Sequence, residues 1–151
     1  MHITLEADYA VRMVEFLAAL QSRQAAGTIA ENTNVPQRFC LKILRNLAAA
    51  GIVKSYKGSR GGYELAAPPE QVTLRQVIEA VEGPYQLSRC VGKEHDCAGS
   101  CSREFACDCR FQQVYREISQ MVREKLDSVT FAQPVILKSG KIEQGFPQDK
   151  A

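Results

Sequence analysis

Apolar residues recur at helical spacing almost from the start of the chain. Ala10, Met13, Val14, Leu17 and Leu20 share one face of a stretch over 4–21, with Arg12 and Glu15 off that face and Asp8 and Tyr9 in its early turns. Gly27 interrupts the pattern, and Thr28 is a natural N-cap for a short helix over 29–34. Val35-Pro36 then turns the chain, because a residue before proline avoids helical angles while proline itself suits a first helical position. From Pro36 to about Ala50 the pattern is helical again, with Phe39, Cys40, Ile43, Leu44 and Leu47 inward and Gly51 as the terminator. Gln37, Arg38, Lys42 and Arg45 lie on another face of that helix. Helix, tight turn and a second helix with a basic polar face form a helix-turn-helix, whose second helix suits the DNA major groove.

Period two replaces the helical period over 52–56 and 63–66, both β-prone, around the tip Lys57-Gly58-Ser59-Arg60-Gly61-Gly62. This predicts a hairpin wing whose Lys57 or Arg60 can reach a minor groove or its phosphates. Pro68-Pro69 closes the wing. Thr73 to Gln76 reads as a capping box opening a helix to about Glu82, with Leu74, Val77, Ile78 and Val81 inward and Gly83-Pro84 as its stop. A last wide stripe, Phe111, Val114, Tyr115, Ile118, Met121, Val122, Leu126 and Val129, predicts a helix over 110–126 about 25 Å long. So broad a stripe outside a small winged domain calls for a partner, most simply the same helix of a second copy. The fold class expected is mainly α with a small β-hairpin wing: a winged helix-turn-helix over 1–84, a cysteine-rich loop over 85–109, and a dimerisation helix with its C-terminal segment over 110–137. Residues 138–151 are polar and read as a disordered tail.

Charge sharpens the picture where composition does not. The net charge is only +2, yet no acidic residue falls between Asn32 and Tyr63, where Arg38, Lys42, Arg45, Lys54, Lys57 and Arg60 lie. A basic stripe on a near-neutral chain is what contact with a phosphate backbone requires. Gln37, Arg38 and Lys42 are assigned to base readout, and Arg45, Lys54, Lys57 and Arg60 to phosphate or minor-groove contact. The apolar content of 45% suits a core, no run approaches a membrane span, and charges through the first twenty residues exclude the apolar stretch of a secretory signal. A cytoplasmic protein with neither a membrane partner nor a small-molecule substrate is the expectation.

Five of six cysteines, Cys90, Cys97, Cys101, Cys107 and Cys109, cluster in twenty residues. In a reducing compartment such clusters more often bind metal than form disulfides. The spacings contain no Cys-x-x-Cys pair, which weakens a zinc ribbon and a thioredoxin-like site alike. Irregular spacing on a glycine-containing loop suits an iron–sulfur cluster, and Arg89, Lys93, Arg103 and Arg110 would offset its negative charge. Zinc is the alternative cofactor, and thiol–disulfide switching a third possibility. His95 reads as a solvated loop residue before a ligand, and Cys40 as a small buried apolar residue.

Several of these stretches together resemble the bacterial Rrf-two family of winged-helix regulators. They are Asp8-Tyr9-Ala10-Val11-Arg12, Val35-Pro36 before a helix ending Leu47-Ala48-Ala49-Ala50-Gly51, the wing Gly58-Ser59-Arg60-Gly61-Gly62-Tyr63-Glu64-Leu65, and Glu82-Gly83-Pro84 ahead of the cysteine loop. The resemblance covers residues 1 to about 137, and the loop places it in the iron–sulfur branch. It implies a homodimer that binds a double-stranded, palindrome-like operator, usually as a repressor. It also implies a [2Fe-2S] or [4Fe-4S] cluster held by three cysteines per subunit plus one further ligand. By that resemblance Cys90, Cys97 and Cys109 are the iron ligands. The longer gap from Cys97 to Cys109 holds Cys101 and Cys107, either of which can replace one of them. Where some relatives carry a histidine three residues past the last cysteine, Gln112 stands here. Asp8, matching an acidic ligand donated by the opposite subunit in other members, is the expected fourth ligand, with a helix-dipole role as its alternative. Nothing in the residues suggests an enzyme; an iron–sulfur electron carrier is the remote alternative, since a carrier has little use for a basic wing.

Overall fold

The computed structural model describes residues 3–58, 61–92 and 109–133. Within them the architecture is a winged helix-turn-helix followed by one long helix, five helices and one antiparallel hairpin in all. Helix α1, Leu5–Leu20, forms the centre. Thr4 caps it by accepting a bond from the Ala7 amide, Glu6 and Asp8 stand in its first turn where the helix dipole favours carboxylates, and Gln21 ends it in the left-handed region. Its inward face, Ala7, Ala10, Met13, Val14, Leu17 and Ala18, is buried.

Helix α2 is Ala26–Thr33, three residues earlier in its start than the sequence pattern predicts. Gly27 therefore sits in the first turn instead of breaking the helix. First-turn amides have no intrahelical partner in any case, and burial of Ile29 and Ala30 rewards the extra turn. Thr28 is consequently inside the helix, and no side chain caps it. Asn34 ends α2 with φ 53°, its amide directed to Glu31 O and the Val35 amide to Ala30 O. Helix α3, Gln37–Ala49, begins one residue beyond the proline and ends in the same way. Gly51 has φ +74° and donates to Ala48 O, while Ile52 donates to Leu47 O. Both are Schellman closures, with buried Val35 and Ile52 supplying the apolar contact that accompanies the motif.

Strands β1, Val53–Tyr56, and β2, Gly62–Leu65, pair antiparallel with Val53 opposite Leu65 and Tyr56 opposite Gly62. The wing is anchored at a third place, because Gln24 and Tyr63 exchange both backbone bonds, at 2.9 and 2.8 Å. Gly62 is required there: with φ +154°, a Cβ on it would stand 2.5 Å from Gln24 O.

The expected capping box opens helix α4, Leu74–Glu82. Thr73 Oγ1 accepts from the Gln76 amide at 3.2 Å, and Gln76 Oε1 accepts from the Thr73 amide at 2.9 Å. Helix α5, Arg110–Asp127, returns to this unit at its far end. There Asp127 meets Arg75 at 2.6 Å, Val129 O accepts from the Leu74 amide, and Phe131 joins the core. The stripe along α5 divides. Tyr115, Val122 and Leu126 are half-buried, whereas Phe111, Val114, Ile118 and Met121 face outward, Met121 at 68% exposure.

Candidate functional site

Two groups of residues carry chemistry. The first is the outer face of α3 with the wing beside it. Core burial of Cys40, Ile43, Leu44 and Leu47 turns Gln37, Arg38, Lys42 and Arg45 to the surface, where all four are exposed. Arg38 lies over the ring of Phe39, 4.9 Å from its centroid, which limits where its guanidinium can point. Lys42 is paired with Glu6 of α1, Nζ to Oε2 2.8 Å. Lys54 and Lys57 are exposed on the wing, and Lys54 pairs in register with Glu64. Arg60 lies outside the described residues.

Under the wing is a cluster that no local sequence signal marks. Tyr56 donates to Glu64 Oε1 at 2.6 Å, Arg23 stacks 3.4 Å from the Tyr56 ring centroid, and its Nε lies 3.5 Å from Glu64 Oε2. The Tyr56 hydroxyl bond, with Arg23 assisting, holds the Glu64 carboxyl below its usual range, and the same bond pushes the Tyr56 phenol up. This cluster ties the wing to the segment after α1, so the wing carries its lysines on a fixed frame.

The second group is the entry to and exit from the cysteine-rich stretch. Residues 85–90 run along α5, bound to it at three heights. Arg123 Nε donates to Tyr85 O at 3.0 Å, Ser119 Oγ accepts from the Leu87 amide at 3.0 Å, and Gln112 Nε2 donates to Cys90 O at 2.5 Å. Ser119 is the one buried side chain among the described residues of α5. Cys109 is the N-cap residue of that helix, three positions before Gln112. The strap therefore sets the backbone of Cys90 against the first turn of α5, which follows Cys109, although eighteen residues separate the two cysteines in the chain. Both are free thiols and half-buried, and the Cys90 thiol donates to Ser88 Oγ at 3.2 Å. An anionic group held at Cys109 meets the positive end of α5.

Cys97, Cys101 and Cys107, with His95, Lys93 and Arg103, lie outside the described residues, and among those described no group of three or more potential ligands forms. Asp8 stands apart, half-exposed and paired with Arg12 at 2.6 Å in its own helix. Cys40 is fully buried, and burial pushes its thiol up to about 11. Gln112 is placed by sequence beside the last cysteine, but its bond to Cys90 is a tertiary fact. No helix of the described residues is long and apolar enough to cross a membrane.

Comparison with known proteins places this geometry. An HTH-type transcriptional regulator of Synechocystis, slr0846, is 32% identical over 134 residues, 87% of this chain and 86% of its own length. An rrf2-like HTH-type regulator of Rhodobacter capsulatus is 29% identical, over 85% of this chain and 88% of its own. Among solved structures, CymR, the global cysteine regulator of B. subtilis, superposes with TM-score 0.65 at 25% identity, covering 87% of this chain and 93% of that one. The IscR of T. potens shares the fold at TM-score 0.66 and 22% identity, covering 87% and 84%. The Rrf2 family, described as iron-dependent transcriptional regulators, matches residues 3–135. The chain is accordingly a DNA-binding transcriptional regulator rather than an enzyme, and it belongs to the Rrf2 family.

Proposed function

We propose that this protein is a homodimeric repressor whose hold on a double-stranded operator is set by an iron–sulfur cluster in its cysteine-rich stretch. The observation that supports the proposal is the strap: Gln112, three residues past Cys109, lies 2.5 Å from Cys90 O, so the backbone of one expected iron ligand meets the helix turn that follows another. Free, half-buried thiols at the entry to and exit from the stretch are of the donor type such a cluster takes. Cys90, Cys97 and Cys109 would hold iron, with Cys101 or Cys107 able to replace one of them. When bound, the cluster supplies ligand and electron exchange that answers to iron supply, nitric oxide or redox state.

Asp8 of the partner subunit completes the set in this reading. Its carboxylate is half-exposed and, among the described residues, paired with Arg12 of the same helix, an exposed ion pair of small worth that a stronger ligand interaction can displace. The outward residues Phe111, Val114, Ile118 and Met121 form the subunit contact, so the segment bearing Cys90 is strapped to the dimerisation helix itself. A change at the thiolates then alters the separation of the two α3 helices. Both must meet half-sites about one helical turn apart, so operator affinity follows. Gln37, Arg38 and Lys42 read bases, while Arg45, Lys54, Lys57 and Arg60 engage phosphate or the minor groove.

A second reading has its own support. The similarly folded CymR is a global cysteine regulator, which supports a reading without a cluster. In that case the thiols respond directly or hold zinc. Anaerobic purification separates the two. Brown protein with visible charge-transfer absorption, stoichiometric iron and sulfide, and operator binding that changes on cluster removal supports the proposal. Colourless protein with stoichiometric zinc, or with neither metal even after reconstitution, refutes it.

A further inference from the structure

The central cation of the α3 face is already paired before DNA arrives. Lys42 Nζ lies 2.8 Å from Glu6 Oε2, a partner 36 residues earlier in the chain. Among the described residues no carboxylate stands within ion-pair distance of Arg38 or Arg45. Glu6 is not a casual surface neighbour. Its side chain is only 24% exposed, and its second oxygen, Oε1, is buried without a hydrogen-bond partner among the described residues. The turn that carries it is pinned from both sides. Thr4 caps α1 through the Ala7 amide, and Glu82 at the end of α4 accepts from both the Thr4 amide and its hydroxyl, at 2.9 and 2.6 Å. Lys42, by contrast, is 60% exposed, so its ammonium remains open to solvent on the DNA side.

An ammonium has three N–H donors, and a carboxylate that takes one of them fixes the directions of the other two. It also cancels the charge that would draw a phosphate from any sequence. A phosphate must therefore compete with Glu6 for Lys42, whereas a neutral acceptor on a base edge, such as the O6 and N7 pair of guanine, needs only the two free donors. Resting on the assignment of α3 as the reading helix, we propose that Glu6 is a specificity-determining positioning residue: it neutralises and aims Lys42, so that this position discriminates between base pairs instead of adding sequence-independent attraction.

The test compares full-length wild type, Glu6→Gln, Lys42→Gln and the double variant by fluorescence anisotropy. Each is titrated with a random-sequence duplex and with an operator duplex selected by the wild type from a random pool, across a fourfold range of salt. Circular dichroism checks that each variant is folded. Glu6→Gln is expected to bind the random duplex more tightly, with a salt slope steeper by about 0.9 for one freed phosphate contact, or roughly threefold in affinity over that range. Its operator preference should fall, and none of these changes should appear when Lys42 is already Gln. An unchanged random-duplex slope in Glu6→Gln overturns the proposal. So does the same gain in the Lys42→Gln background, which marks a general loss of negative charge, and so does an equal loss on both duplexes, which marks a merely structural carboxylate. A flat salt response in the wild type itself removes the DNA-face assignment and this inference with it; a steep one with silent Glu6→Gln removes this inference alone.

Discussion

Cys40 shows how one residue's surroundings set its chemistry. It sits on the buried face of α3 with its thiol directed at Ala26 O, 3.5 Å away, and burial pushes it up to about 11 from an ordinary 9.0. Brief alkylation of the native protein at neutral pH should leave Cys40 unmodified, as mass spectrometry of the digested product will show. Its effect on stability has a definite sign. The folded state keeps the proton where the unfolded chain gives it up, so the stabilisation is complete below 9.0 and is lost as pH rises towards about 11. At about 1.4 kcal/mol per unit, the loss is on the order of 2 kcal/mol. Urea denaturation over that range should show this decline in the wild type and not in Cys40→Ala. Thr73 makes a simpler case: both halves of its capping box are present, so Thr73→Ala should cost about 1 kcal/mol by the same measurement. Both roles are legible in the sequence, since a capping box spans four residues and a cysteine among Phe39, Ile43 and Leu44 shares their face. Glu6 and Arg23 are not legible, because their partners lie on other elements and no spacing rule connects them.

At the scale of elements, the helix-turn-helix is built from short-range signals that agree with one another. Asn34 and Gly51 each supply a left-handed residue, and Val35 and Ile52 each supply the apolar lock behind it. Gly27 misleads because propensity is a weak guide in a first turn, where the burial of Ile29 decides. The wing depends on a contact that no hairpin signal contains, the pair of backbone hydrogen bonds between Tyr63 and Gln24. Gly62→Ala drives a Cβ into Gln24 O, so that bridge must open. Hydrogen exchange should then show the Gln24 and Tyr63 amides losing protection while amides of α1 and α3 keep theirs, with weaker DNA binding. The strap along α5 is a second such element. Its three α5 residues, Gln112, Ser119 and Arg123, are polar positions within an amphipathic pattern and look like solvated surface until the 85–90 segment lies on them.

For the whole molecule, the exposed half of the α5 stripe has the largest consequence. Phe111, Val114, Ile118 and Met121 form an outward apolar row on a helix otherwise rich in charge. In the homodimer proposed above, joining Ile118→Glu with Met121→Glu should leave helix content unchanged and yield a monomer by light scattering. Operator affinity should fall by a factor on the order of 10², since each subunit then binds one half-site alone. A dimer persisting in that variant would show that other surfaces hold the subunits together. Burial within one chain sorts the stripe into its two halves; period alone shows a single broad band.

By itself the sequence determines what local physics can encode: helical and strand periods, the capping box, the turn at Val35-Pro36 and the terminator Gly51, the basic run without a carboxylate, and the crowd of thiols. Those depend on residues a few positions apart, whose interaction the chain's covalent geometry already brings about. Only the tertiary structure decides that Glu6 meets Lys42, that Arg23, Tyr56 and Glu64 brace the wing, and that Cys90 lies against the turn begun by Cys109. Each of these joins residues from different elements, and such neighbours exist only after the buried faces of α1, α3 and α4 have packed and set the elements' relative places.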